Sequence, residues 1–199
     1  LSYRWLGNLK KYKLTPEGDI VDVNDKPAVD ASTGFFAIGT ESFWSGIIDG
    51  ADAAMGGAAS RLTVPADRKI YTNIADVSGS LAVVDSGTLS TPLSALKDDA
   101  AATVILANKL LYNVTAPATV PAASPSRDNL LDWTYGVDIQ DQVGAVGDTT
   151  DPRLDMGDPL HARPATVIYG GTADAPDTTL YSTTNDGMLH AINASTGAE

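Results

Sequence analysis

The chain has 199 residues, a formal charge of −12, 43% hydrophobic residues and no cysteine. That length and apolar content suit one domain, or part of a larger one, with a buried core. The acidity argues against bulk phosphate binding and so against a nucleic-acid partner, and the lack of cysteine removes disulfides, thiolate chemistry and cysteine metal ligands. The longest apolar run, 100–111, is interrupted by Thr103, Asn108 and Lys109 and is too short to span a bilayer. The composition suits a secreted, globular setting; the chain opens at Leu1, not Met, on a strand-like segment and shows no signal peptide, which a fragment would not show.

In chain order, residues 1–30 read as strands, with Tyr3, Trp5, Leu9, Tyr12 and Leu14 spaced along a Lys-punctuated segment. A Pro16-Glu17-Gly18-Asp19 turn separates them from Ile20-Val21-Asp22-Val23. Phe43, Trp44, Ile47 and Ile48 lie at helical spacing in 41–55, which predicts a helix stopped at Gly56-Gly57. Segments 61–64 and 69–73 predict strands. Over 94–112, Leu96, Ala100, Val104, Ala107 and Leu111 share one helical face beside the solvated Lys97-Asp98-Asp99. A Pro/Ala/Ser loop at 117–125 precedes a short helix at 127–135, capped by Ser126 or Asp128, with Leu130, Leu131 and Trp133 as its apolar face.

Segment 138–158 is polar and turn-rich, as an exposed loop would be. Ala165 to Gly170 predicts a buried-type strand, and 179–193 predicts a hairpin about Asn185-Asp186-Gly187, residues that tolerate left-handed backbone. A type I turn with a glycine bulge would set Leu180 opposite Ile192 and Tyr181 opposite Ala191, with apolar groups on both faces. A second turn at Ser195-Thr196-Gly197 follows. This is the rhythm of a β-propeller blade, begun but not completed. The expected fold is mainly β with helical insertions, an incomplete modified propeller: strands and insertions over 1–120, a loop-rich connection over 121–158, blade strands over 159–199. A propeller cut in this way leaves blade faces and an edge uncovered, and poor independent stability is expected.

Two acidic stretches could be weighed as calcium loops. Asp22, Asn24 and Asp30 supply oxygens at loop positions one, three and nine, but Lys26 holds position five and Pro27 the place of the turn glycine, so an acidic surface turn is preferred. Asp151 and Asp155, within 148–158, match no ligand pattern. His161, preceding a strand, and His190, within one, have no ligand spacing; with Asp158 and Asp186 nearby they could be drawn into a metal or acid–base pair, but His190 is better read as donating to a backbone carbonyl. Ser182 and Ser195 lack a nucleophile elbow.

Several segments together carry a resemblance. Gly157-Asp158-Pro159-Leu160-His161-Ala162-Arg163-Pro164, then Val167-Ile168-Tyr169-Gly170, then Thr184-Asn185-Asp186-Gly187-Met188-Leu189-His190-Ala191-Ile192-Asn193 resemble the PilY/PilC family of type IV pilus tip proteins. Trp5-Leu6-Gly7-Asn8-Leu9-Lys10-Lys11-Tyr12, Arg68-Lys69-Ile70-Tyr71-Thr72 and Asp132-Trp133-Thr134-Tyr135-Gly136 are similar to further segments of the same C-terminal domain, in family order. Gly157, Asp158, Pro159, His161, Asn185, Asp186, Gly187, His190, Thr196 and Gly197 are its motif residues here, with architectural roles.

The resemblance implies a modified propeller in a large, non-enzymatic surface protein at the pilus tip or outer membrane of a Gram-negative-type bacterium. Such a protein supports pilus assembly by countering retraction, adhesion and twitching motility, and its partners would be minor pilins of the tip complex and a host or abiotic surface. Many members carry a calcium-binding Asp-x-Asp-x-Asp loop; no such loop occurs here, and one in the parent would lie beyond Glu199. The contact loops expected are 113–127 and 138–156. Two other readings share the propeller. A pyrroloquinoline-quinone dehydrogenase has similar Asp-Gly and Thr-Gly turns but commonly uses a vicinal disulfide that a chain without cysteine cannot form, and a scaffold propeller of outer-membrane assembly would dock partners through its face.

Overall fold

The computed structural model describes residues 6–50, 52–70, 132–140, 145–149 and 151–199. Among these the chain is mainly β, in small antiparallel sheets with almost no helix, and no propeller is formed. It divides into two compact units, one of residues 1–63 with 154–199 and the other of 64–153.

Among the described residues, all the strands lie in the first unit. β1 (Leu6–Gly7) pairs with β4 (Met156–Gly157), joining segments about 150 residues apart in sequence. β2 (Lys13–Leu14) and β3 (Ile20–Val21) form the expected hairpin across the Pro16–Asp19 turn, where Gly18 takes φ 99°. The strands expected over 1–30 are thus two residues each, and Tyr3 and Trp5 lie outside the described residues.

β5 (Ala165–Gly171), β6 (Pro176–Thr183) and β7 (Leu189–Asn193) form a three-stranded sheet in that order. The hairpin register is the one expected: Leu180 faces Ile192 and Tyr181 faces Ala191. The turn is closed by Gly187 N–H to Thr184 O and Thr184 N–H to Met188 O, both 3.0 Å, with Gly187 at φ 86°. Only one face is covered. His190 and Ile192 are buried while Leu189, Ala191 and Asn193 are exposed, so the expected burial of both faces does not hold. β5, expected to be buried, is exposed along its whole length, because it is an edge strand that pairs only with β6.

The helix expected over 41–55 is replaced by turns. Ser45 N–H bonds Ser42 O at 3.1 Å, and Gly46 at φ 79° then reverses the chain. Asp49 bonds back through its carboxylate to the Ser42 N–H and Oγ, both 2.8 Å, a local side-chain competition that helices lose. Trp44 is buried, but Phe43, Ile47 and Ile48 are exposed, so the spacing of the four does not mark one buried face.

A 3₁₀ turn over Ala59–Arg61 occupies the start of the expected 61–64 strand, and Leu62 is extended but lies in no strand, its N–H donating back to Ala59 O. Lys69 and Ile70 lie in no strand, and the rest of the 69–73 segment lies outside the described residues. So do the 94–112 helix, the 117–125 loop and the start of the 127–135 helix. The last turn of that helix is present at 132–135.

The core of the first unit is Trp44, Ala58, Ala59, Met156 and Ile192, with Leu9 and Leu180 packed against it. Trp44 anchors it: its indole N–H donates to Ala194 O at 3.3 Å and its ring lies against Gly197. A β-carbon at Gly197 would stand 2.6 Å from Trp44 Cγ, and Gly197 also takes φ 77°. Gly197→Ala should therefore cost about 2–3 kcal/mol, from overpacking plus left-handed backbone. Urea unfolding followed by circular dichroism checks this, with Ala198→Gly, one residue along, expected to cost far less.

Candidate functional site

The residues of the Gly-Asp-Pro and Asn-Asp-Gly motifs, 27 apart in sequence, meet at one junction. Asn185 grips Asp158 at two points: its side-chain oxygen accepts the Asp158 N–H at 2.9 Å, and its own N–H donates to Asp158 O at 3.0 Å. The Gly157 α-carbon is closed in by the turn, since a β-carbon there would stand 2.6 Å from Asp186 Cγ and 2.8 Å from Asn185 Oδ1. On the other side Gly7 leaves no room for a side chain against the Asp158 backbone and Pro159. Asp186 is held within its own turn, accepting from Thr184 Oγ1 and from Met188 N–H. Asp158, Gly157, Asn185, Asp186 and Pro159 are thus one constellation, built by backbone approach that glycine alone permits.

The remaining motif residues sit apart from it. His161 is exposed on a turn closed by Ala162 N–H to Pro159 O. His190 is buried, and its Nδ1 lies 2.5 Å from Glu199 Oε1, so its partner is a carboxylate and not the expected backbone carbonyl. Thr196 caps the last turn with Asn193, whose side-chain oxygen accepts the N–H of Ser195 and of Thr196 at 2.9 and 3.0 Å. Ser182 is buried in β6 and Ser195 lies in this exposed turn.

No group of three or more His, Asp or Glu that could hold a metal ion occurs among the described residues. The Asp22 loop is not a surface turn throughout, since Asp22 itself is buried. Its Oδ1 accepts the N–H of Asn24 and Lys26 at 2.8 and 3.0 Å and its Oδ2 that of Glu41 at 3.4 Å. Burial pushes this carboxyl up, but the three N–H groups and the Lys26 charge outweigh it and leave Asp22 below its ordinary value. Asp151 accepts the Ala145 N–H at 3.2 Å, and Asp138 and Arg153 are buried, so the 138–158 stretch is exposed at its 145–149 tip and anchored at its ends.

Sequence reasoning missed a second polar cluster, beside the junction. Asn8 uses its whole amide, donating to Met55 O and Gly56 O at 3.2 and 2.7 Å and accepting the N–H of Leu9 and Ala59, both 2.9 Å. Lys10 Nζ donates to Asp49 O and, at 2.5 Å, to Asp52 O, and stands 3.5 Å from the fully buried Asp49 carboxylate. No spacing in the chain links Lys10 to Asp49; only the tertiary fold brings them together.

Next to both clusters opens a cleft of about 630 Å³, within the size range of ligand sites. Leu6, Gly7, Lys10, Tyr12, Phe35, Phe36, Asp158 and Pro159 are among its lining residues. The Tyr12 and Phe36 rings stack at 4.6 Å and 16°. The Tyr12 hydroxyl is buried and has no hydrogen-bond partner among the described residues. Burial first, then the charges of Asp49 and Asp22, push it up to about 12 from 10.0.

Comparison with known proteins found no matching family model, no matching curated protein and no matching solved structure.

Two stability predictions follow from these clusters. Lys10→Met leaves the buried Asp49 carboxylate its two Ser42 hydrogen bonds but no counter-charge, and should cost about 3 kcal/mol in urea unfolding; Lys13→Met, which breaks only the exposed pair with Asp25, should cost under about 1 kcal/mol. Because the folded-state value of Tyr12 is raised, its neutral form contributes stability below pH 10 that is lost as pH rises toward about 12. Tyr12→Phe removes an unsatisfied buried hydroxyl, so it should leave stability at pH 7 unchanged or higher and flatten the alkaline limb of the melting temperature.

Proposed function

We propose that this chain belongs to a non-enzymatic cell-surface protein of the type IV pilus machinery, of PilY/PilC type, which supports pilus assembly against retraction, adhesion and twitching motility. One observation supports the reading above others. Residues of three separated segments that carry the resemblance, Gly7 of the first, Gly157 to Pro159 of the second and Asn185 and Asp186 of the third, converge on one junction. The motif residues act there as architecture, which suits a protein whose work is to bear load and present surface. In this reading β5–β7 is part of a blade of a modified propeller in the parent protein. The partners are minor pilins of the tip complex and a host or abiotic surface, the location is extracellular, and any calcium would be bound elsewhere in the parent.

The contact surface on the 138–156 segment narrows to its exposed tip at 145–149, where Val146 is 99% exposed. The 113–127 loop lies outside the described residues.

Deleting the coding sequence in its own bacterium should reduce surface pili and twitching, and disabling retraction in the same cells should restore the pili. Unchanged piliation and motility would contradict the reading. Replacing 145–149 by Gly-Ser residues should leave pili in place and lower attachment; normal attachment would remove the tip from the adhesive surface.

A further inference from the structure

We propose that the cleft between Tyr12, Phe35–Phe36 and Asp158–Pro159 takes an arginine side chain presented by a partner protein. The inference does not rest on the pilus reading. It starts from the two charged side chains that line the cleft, Lys10 and Asp158. The Lys10 ammonium donates to Asp49 O and Asp52 O and is ion-paired with the Asp49 carboxylate at 3.5 Å. Its charge is thus neutralised within the fold. The Asp158 carboxylate is the reverse case. The backbone of Asp158 is held by Asn185, which fixes the residue in place, yet the carboxylate itself has no hydrogen bond or ion pair among the described residues. The charge available in the cleft is therefore negative, in a chain of net charge −12 that draws cations from a distance.

The rest of the lining selects among cations. Phe35 is 76% exposed and Phe36 42%, and both line the same cleft as Asp158, so flat apolar rings are open to an incoming group there. A quaternary ammonium is best held by rings that surround it. Tyr12 and Phe36 are instead stacked nearly parallel on each other and cannot enclose a cation from two sides. A guanidinium suits this arrangement better: it is planar, lies flat on an aromatic ring, and places two N–H groups on one carboxylate. Leu6 and Pro159 leave apolar wall for its methylene stem.

The test is titration of the chain with N-acetyl-arginine methylamide, followed by ligand-observed NMR. The lysine and glutamate analogues and tetramethylammonium serve as comparators. Saturable binding of the arginine probe is expected, weaker at high salt, and reduced about tenfold or more by Asp158→Asn and by Phe35→Ala. Asp158→Asn keeps the backbone grip of Asn185, and Phe35 is exposed, so both variants should melt as the parent chain does. Absence of saturable arginine binding, equal binding by either variant, or tighter binding of the glutamate analogue or of tetramethylammonium would each overturn the assignment.

Discussion

The contact of Trp44 with Gly197 closes a loop of about 150 residues, and the first unit depends on it. An indole buried against a glycine α-carbon brings the turn-rich 40–60 segment onto the three-stranded sheet. Ala194 O then accepts from both Trp44 and Lys11, so one carbonyl receives two donors from the N-terminal segment. Closing so long a loop costs conformational entropy, and a small core of five buried side chains must offset it. The hydrogen bonds of Asn8, Lys10 and Asn185 do the rest by leaving few backbone groups of the joined segments unsatisfied.

Within that frame the junction at Asp158 follows from sterics. Gly7 and Gly157 remove side chains where two strands and a turn meet, and Asn185 meets both backbone groups of Asp158, its side-chain oxygen accepting the N–H and its own backbone N–H donating to the carbonyl. Asp158 lines the cleft with a carboxylate that has no hydrogen bond or ion pair among the described residues, while Lys10, the other charged residue there, is paired with Asp49. Architecture and a candidate recognition surface thus share residues.

Some of this was legible beforehand. Alternation around Asn185-Asp186-Gly187 carries the hairpin and its register, because turn residues and β-prone neighbours are local signals. The Gly18 turn is readable for the same reason. The 41–55 helix misleads because its apolar spacing is real, but Gly46 and the Ser42–Asp49 bonds override it. Exposure of β5 could not be read from Ala-Thr-Val-Ile-Tyr-Gly, since a run of apolar residues does not say whether a sheet continues beyond it. Lys10 with Asp49, and Trp44 with Gly197, are pairings between distant positions that no local pattern encodes. For the candidate site, the motifs named Gly157, Asp158, Asn185 and Asp186, whereas the cleft residues Phe35 and Phe36 carried no signal.

The claim that most of this rests on is that segments 6–12, 40–59 and 156–197 form one cooperative unit locked at Asp158 and Asn185. Native-state hydrogen exchange reads it directly. The N–H of Asp158, which bonds the Asn185 side-chain oxygen, that of Asn185, which bonds Asp158 O, and those of Phe43 and Ala58, which bond Lys11 O and Leu9 O, should exchange with a common opening free energy and shift together in denaturant. If the Asp158 and Asn185 amides exchange through local fraying, independent of Phe43 and Ala58, the junction is a surface contact and the account fails.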